Sequence, residues 1–387
     1  MQRIEFSSPL ANARNYQPAQ IKVEPQLPFS HLRCFSASVL KDLGLQFFRS
    51  GRGALYAAAM QLKKPGENIV LLPAYHCPAL VEPFIAAGYQ IEFYPLQPDL
   101  TVDMQALQAC ITVDTTHCLM VRYFGNSSEV SANLAWLQSL GLTTFDDCAH
   151  DLQSFLHTEL AADAAICSVK KFIASSDGGA LRLKVAASVH LRSVPLRLEL
   201  KNILRTFLSA WQKKRSQQTR LMPVAENNKG VAASDNASNI IVEPVQTQSP
   251  QKQQFRYFQS KDKEQSCYLL TKWLFAHTDL VAVLEKRQRH SQLLLSGLAK
   301  SPLGQLLWQQ PHESFAPYVI PFLLNDSSSF DLLRKRGLQI YRWEELATTN
   351  CVVSQNYRHK LIQIPCHQDL TISDIGYIIE CFMSIVP

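Results

Sequence analysis

From about residue 50 onward, short apolar runs alternate with amphipathic stretches. The runs are NIVLLP (68–73), QIEFYPL (90–96), HCLMVRYF (117–124), LTTFDD (142–147) and AAICSV (164–169). Between them lie ALYAAAMQL, ALVEPFIAAG, DMQALQACI and ANLAWLQSLG, whose apolar residues recur at helical spacing. Runs without polar alternation predict strands buried on both faces, hence an α/β fold with a mostly parallel sheet flanked by helices. Ligands of such sheets bind at the carboxyl ends of the strands, so the residues just after each run are the first candidates for a site.

The pattern breaks at about 212–262, where QKKRSQQTR, AENNKG, ASDNASN and QTQSPQKQQ form a Gln/Ser/Asn-rich stretch without sustained period. This reads as a polar surface insertion, touched down briefly by NIIVEPV. After it, CYLLTKWLFAHTDLVAVLEKRQRHSQLLLSGL reads as one or two helices, YVIPFLL and LQIYRW as strands flanking a helix, and SDIGYIIECFMSIV as a closing amphipathic helix. The expected organisation is an N-terminal segment (1–35), a large α/β domain (36–245) and a smaller α+β domain (263–387).

Composition sharpens the picture. Of the 387 residues, 47% are hydrophobic and only 18% charged, which argues for a large packed core. Lys and Arg (38) exceed Asp and Glu (32) by six, without the dense basic tract of a nucleic-acid protein. The N-terminus MQRIEFSSPLANARNYQ lacks the apolar core of a signal peptide, and no stretch has the length of a membrane span, so a cytoplasmic protein is expected. Ten scattered cysteines without a CxxC pair indicate neither a disulfide framework nor a zinc site.

Three clusters fall at strand ends or a helix start. Ser50-Gly51-Arg52-Gly53 opens a helix, whose free N–H groups make an anion site, although the same pattern serves plain capping. Phe145-Asp146-Asp147-Cys148-Ala149-His150 puts two acids and an imidazole at the end of a buried strand. Acids there need a cation or donor, or else cap the next helix. Ser168-Val169-Lys170-Lys171 precedes Asp177-Gly178-Gly179 and another strand. A lysine in an apolar pocket can lose its proton and attack a carbonyl, whereas most lysines merely face water. Ser168-x-x-Lys171 with Ser234-Asp235-Asn236 mimics two serine β-lactamase motifs, but no Lys-Thr-Gly follows and the second falls in the polar insertion. No acid or histidine recurs at metal-ligand spacing.

Taken in order, these clusters resemble the fold-type I pyridoxal-phosphate enzymes, and among them the DegT/DnrJ family of sugar aminotransferases. The resemblance runs through SGRGALYAAA, LLPAYHCPALVEPFIAAGYQIEFYPL, VRYFGN, FDDCAHDL, KKFIASSDGGAL, YRWEEL and PCHQDL. It implies Lys171 as the catalytic lysine, favoured over Lys170 by the seven-residue step to Gly178. Asp147 would partner the cofactor's ring nitrogen, with His150 near the ring and Asp146 capping or orienting. The phosphate of pyridoxal 5'-phosphate would lie on Gly51, Arg52 and Gly53, with Ser168 adding a hydroxyl. Arg52 stands where the family has threonine, for the phosphate or an acidic substrate. Cys77 stands where it has an aromatic ring, with His76 or Tyr75 the substitutes. Tyr123, Tyr341, Arg342 and His367 are implied on the substrate side, each also readable as small-domain packing. The implied reaction moves an amino group from an amino acid, glutamate being the expected donor, to a keto sugar nucleotide for polysaccharide or glycoside synthesis, in a homodimer. The alternatives are another fold-type I enzyme, a lyase or amino-acid aminotransferase, and a non-catalytic binding or regulatory relative.

Overall fold

The computed structural model describes residues 4–10, 16, 19–32, 43–126, 128–185, 187–220, 255–309, 311 and 315–385. Its centre is a seven-stranded sheet in the order β1-β7-β6-β5-β4-β2-β3. The strands are β1 (Gln46–Phe48), β2 (Ile69–Pro73), β3 (Gln90–Tyr94), β4 (Thr115–Val121), β5 (Thr143–Asp147), β6 (Ala164–Cys167) and β7 (Gly179–Leu183). The pairs from β3 through β2, β4 and β5 to β6 are parallel, and β7 runs antiparallel to both β6 and β1. The five apolar runs thus become β2 to β6. All of β2 is buried, as expected for a strand covered on both faces.

The parallel strands are joined by helices α1 (Gly51–Gln61), α2 (Val81–Ala87), α3 (Met104–Cys110), α4 (Val130–Ser139) and the short α5 (Leu152–Phe155). Helix α1 starts on Ser50, whose hydroxyl accepts the Gly53 N–H, and α3 starts on Asp103, which accepts from Ala106. Helix α2 ends on Gly88 at φ 81°, the left-handed position that glycine takes without a Cβ penalty. Helix α1 is alanine-rich because its inner face lies close against the sheet: Ala54, Ala57, Ala58 and Ala59 are all buried. Each large apolar side chain that is fully buried here contributes about 1.5–3 kcal/mol.

After β7 comes a 25-residue helix, α6 (Leu196–Arg220). Residues 212–220, read from sequence as part of the polar insertion, therefore continue a helix. Residues 221–254, including Ser234-Asp235-Asn236 and NIIVEPV, lie outside the described residues. The chain is described again from 255, with α7 (Ser260–Glu264), α8 (Leu269–His277) and the long α9 (Leu280–Leu298). A second sheet, all antiparallel and ordered β10-β9-β8, joins β8 (Gly304–Leu306), β9 (Val319–Leu324) and β10 (Leu361–Pro365), with α10 (Ser329–Lys335), α11 (Val352–Lys360) and the closing α12 (Ile372–Ser384). Its own core joins Leu294 and Leu298 of α9, Phe322 of β9, Ile362 and Ile364 of β10 and Phe382 of α12. LQIYRW, expected as a strand, makes only isolated bridges, Leu338 to Ile21 and Tyr341 to Gln363. The strand of this region is β10 instead.

Candidate active site

A cavity of about 420 Å³ opens where β4, β5 and β6 end, floored by Val121, Asp147 and Ser168 and walled by Tyr318, Tyr341, Trp343 and Gln363 from the second sheet's side. Its place is the carboxyl edge of the parallel strands, and its size suits a small organic ligand. It brings together Gly51, Arg52, Cys77, Asp147, His150, Ser168, Lys171 and Tyr341 of the residues singled out in the sequence.

Successive residues of a strand point to opposite faces, which separates the two acids of β5. Asp146 is buried in a bidentate pair with Arg122, Nε to Oδ1 at 2.9 Å and Nη2 to Oδ2 at 2.8 Å, and Arg122 is tied on to Ser131. Its expected capping role belongs to Asp151, whose carboxylate accepts the Ser154 N–H at the start of α5. Asp147 faces the cavity and accepts the Ala149 N–H at 2.9 Å. Burial raises its pKa, and the amine of Lys171 opposes that rise. Lys171 shows the reverse: burial lowers its amine, while Cys77 and Asp147 hold it up. Its Nζ sits 4.9 Å from the centre of the Tyr318 ring. The neighbouring Lys170 pairs instead with Glu24 at 3.3 Å.

His150 is sandwiched among aromatic rings, 5.1 Å from Phe124, 5.3 Å from Tyr318 and 5.6 Å from Trp343, all within 29° of parallel. Burial and the nearby Lys171 charge push its pKa well below the usual value, so the ring is neutral. The Phe124 N–H approaches its Nδ1 at 3.4 Å, leaving the proton on Nε2. Phe124 adopts φ 52° to do so, a left-handed conformation unfavourable for a bulky residue.

The helix start explains the glycines. A Cβ on Gly179 would lie 2.2 Å from the Ser50 carbonyl oxygen, so this glycine lets β7 press against the start of α1. Gly178 sits at φ 129° with its N–H on the Arg49 carbonyl. Gly51 lies against Ser168, whose Cβ would be 3.6 Å from an added Cβ. Gly53, expected at the phosphate, has its N–H taken by Ser50 Oγ, and its missing Cβ makes room for the Asp262 backbone, 2.4 Å away. That leaves the Gly51 and Arg52 N–H groups at the first turn, which have no acceptor within the helix. The Arg52 side chain leans to Asp262, Nη2 to Oδ1 at 3.6 Å, and the same carboxylate takes the Ser50 hydroxyl at 2.6 Å.

Besides Gly53, five expected residues are not brought to the cavity wall. His76 is fully buried, its Nδ1–H on the Cys77 carbonyl and its Nε2 accepting from Ala347, stacked on Phe93. Tyr123 gives its hydroxyl to the Tyr75 carbonyl. Arg342 is held by Glu344 at 2.7 Å over the Phe330 ring. His367 binds the Lys22 carbonyl. Tyr75, the other proposed ring partner, is buried against Trp343. The rings that do face the cavity are His150, Tyr318, Tyr341 and Trp343.

Sequence reading missed Arg49, Lys261, Asp262, Tyr318 and Gln363, all of which line the cavity. Arg49 adjoins the helix-start motif and Tyr318 opens an expected strand, so both carried a local signal. Asp262 and Gln363 carried none. The Nε2 of Gln363 is buried without a hydrogen-bond partner among the described residues.

No curated protein matches the sequence. Solved structures with this fold include the Helicobacter pylori aminotransferase PseC, involved in pseudoaminic acid biosynthesis (15% identity, 96% of this chain and 100% of that one, TM-score 0.58). The aminotransferase TlmJ of Streptoalloteichus hindustanus (14%, 99% and 98%, 0.60) and the sugar aminotransferase CalS13 of Micromonospora echinospora (14%, 92% and 93%, 0.56) are similar as well. At these identities the likeness is one of fold, and it spans both sheets. Residues 47–186, which supply most of the cavity's strand-end residues, match the model of the DegT/DnrJ/EryC1/StrS aminotransferase family, which bears out the family resemblance read from the sequence.

Proposed function

We propose that this chain is a pyridoxal-phosphate-dependent sugar aminotransferase that takes its amino group from glutamate and delivers it to the keto group of a nucleotide-linked sugar. The observation that carries this reading is one cavity holding an amine of lowered pKa, Lys171, beside the carboxylate of Asp147.

The residues present fit the cofactor. Two N–H groups at the start of α1, those of Gly51 and Arg52, which have no acceptor within the helix, together with the Ser168 hydroxyl, suit its phosphate. Asp147 suits a protonated ring nitrogen. Bound there, pyridoxal phosphate would supply a carbonyl carbon for amine exchange and a ring that accepts electron density.

The protein's own residues supply the rest. Lys171, whose proton burial makes easier to lose than that of an amine in water, can release and recover a proton at Nζ. Burial raises the Asp147 pKa while Lys171 and the Ala149 N–H counter that rise, and a cationic N–H bound against its carboxylate would counter it further. His150, neutral and fixed between rings, offers an Nε2–H donor that does not compete for charge. The Tyr318 ring lies against the amine, its centre 4.9 Å from Nζ, and Trp343 walls the same cavity.

The test is the absorbance spectrum of the protein mixed with pyridoxal phosphate, before and after glutamate. A visible band that glutamate bleaches in the wild type and that never forms in Lys171→Ala supports the reading. Absence of the band in the folded wild type overturns it; a band indifferent to glutamate rejects glutamate as donor.

A further inference from the structure

Helix α6 is amphipathic with its faces reversed. The side packed on the protein is polar: Glu199, Asn202 and Thr206 are only 4–9% exposed. The Glu199 carboxylate accepts the Leu269 N–H at 3.0 and 3.1 Å, and the Asn202 side-chain oxygen accepts the Ser176 hydroxyl at 2.6 Å. The outer side is apolar. Leu196, Leu200, Leu204, Phe207, Leu208 and Trp211 recur at three- and four-residue steps and are each 51–72% exposed. A helix covering a core does the opposite. Phe29 stacks on the Phe207 ring at 4.9 Å, yet that ring remains more than half exposed.

Charge points to the occupant. The helix carries seven Lys or Arg and one Glu, a net +6, which equals the net charge of the whole chain, so the remaining residues balance to zero. Arg197, Lys201 and Arg205, four residues apart, follow the flank of the apolar stripe. A second copy of the chain would bring one such helix against another of the same sign. No helix among the described residues is long and apolar enough to cross a membrane, so contact with a bilayer would be peripheral.

We propose that α6 lies along an anionic lipid surface, its leucines, Phe207 and Trp211 entering the headgroup boundary and Arg197, Lys201 and Arg205 meeting lipid phosphates. Leu, Phe and Trp on one side with Lys and Arg beside them is the composition of interfacial helices, and the stripe is about 22 Å long at 1.5 Å per residue. Juxtamembrane basic residues add attraction to anionic headgroups that salt screens. The inference does not depend on the reaction catalysed.

The test is flotation of the full chain with phosphatidylcholine vesicles, with and without an equal part of phosphatidylglycerol. The expected result is at least about tenfold more binding to the anionic vesicles, weakened by salt. Leu204→Glu/Leu208→Glu should abolish binding, and Lys201→Glu/Arg205→Glu should abolish the preference for anionic lipid. Circular dichroism and thermal melting verify that the variants fold, and Leu204→Gln/Leu208→Gln replaces the first pair if it does not. Failure of folded wild type to float with anionic vesicles overturns the proposal, as does binding unchanged by both pairs. A fall in solution mass on Leu204→Glu/Leu208→Glu, read by light scattering, also overturns it by assigning the stripe to a second copy.

Discussion

Arg287 Nη2 donates to the backbone carbonyl of Lys171 at 2.8 Å across 116 residues of sequence. The guanidinium is fully buried on α9 and also donates to the carbonyls of Pro317 and Tyr318 and to Gln368 Oε1, while Gln368 returns a bond to the Phe172 carbonyl. The turn bearing the cavity lysine is thus clamped by the part of the chain that builds the second sheet. Burial lowers the Arg287 pKa to about 10, a fall that Cys366, Tyr318 and Asp369 only partly oppose. Arg287→Met would leave four buried acceptors short of a donor, and we expect a loss of about 3 kcal/mol or more in urea unfolding. Arg287→Lys should recover only part, since one ammonium cannot span the geometry of the planar fork. Wild-type stability in Arg287→Met would show the clamp to be idle.

Gly179 tests the packing of strand on helix start. Any Cβ there would fall 2.2 Å from the Ser50 carbonyl oxygen and 2.5 Å from the Gly51 nitrogen, both backbone atoms with little room to yield. Gly179→Ala should therefore cost about 3 kcal/mol or prevent folding. Gly376→Ala, with nothing within 4 Å of the added carbon on the exposed face of α12, serves as the control and should be neutral or slightly stabilising. Equal melting temperatures for the two variants would contradict the packing described.

Strands β2, β4 and β6 were legible as apolar runs buried on both faces, whereas the edge strand β3 alternates exposed Gln90 and Glu92 with buried residues and β5 is polar at both ends, so burial on both faces was overread for these two. The three-residue β1 and β8 were too short for any periodicity to register, and β10 directly follows a helix with no turn residues between. LQIYRW alternates like a strand, yet Tyr341 and Arg342 serve the cavity wall and an ion pair rather than a ladder. The site was legible where its residues are close in sequence, as with Asp147 and His150 or Ser168 and Lys171. Gly53 and His76 sit in the right motifs, but whether an N–H or a ring faces the cavity depends on contacts from Ser50 and Ala347. Asp262, Gln363 and Arg287 reach the site only through the tertiary fold.

Gln363 sits mid-strand on β10, only 2% exposed, with an Nε2 at the cavity wall that has no partner among the described residues. It exchanges backbone hydrogen bonds with Tyr341, so both side chains project from the same bridge toward the cavity. An unsatisfied buried amide costs about 1–3 kcal/mol, so Gln363→Leu should raise stability in urea unfolding by up to that amount. Under the proposed function it should also lower amino-transfer activity by removing a donor from the site. A destabilised Gln363→Leu would mean that the amide is satisfied within the fold.

The pH dependence of stability should carry a contribution from His76. Burial holds its pKa at about 4 in the folded protein, against about 6.5 in the unfolded chain. Its ring is fixed neutral, with Nε2 accepting the Ala347 N–H, so a proton there would oppose an N–H donor. Because the folded pKa is the lower one, this stability is present above pH 6.5 and is lost as pH falls toward 4. Between pH 7 and 5 the loss from this residue should be about 2 kcal/mol. His117 and His367, both held near pKa 4 by burial, act in the same direction, so the whole protein should weaken more steeply than one histidine requires. His76→Gln keeps an acceptor for Ala347 without a titrating ring. Urea unfolding at the two pH values should show a smaller loss for the variant than for the wild type. Identical losses would place the acid sensitivity on other groups.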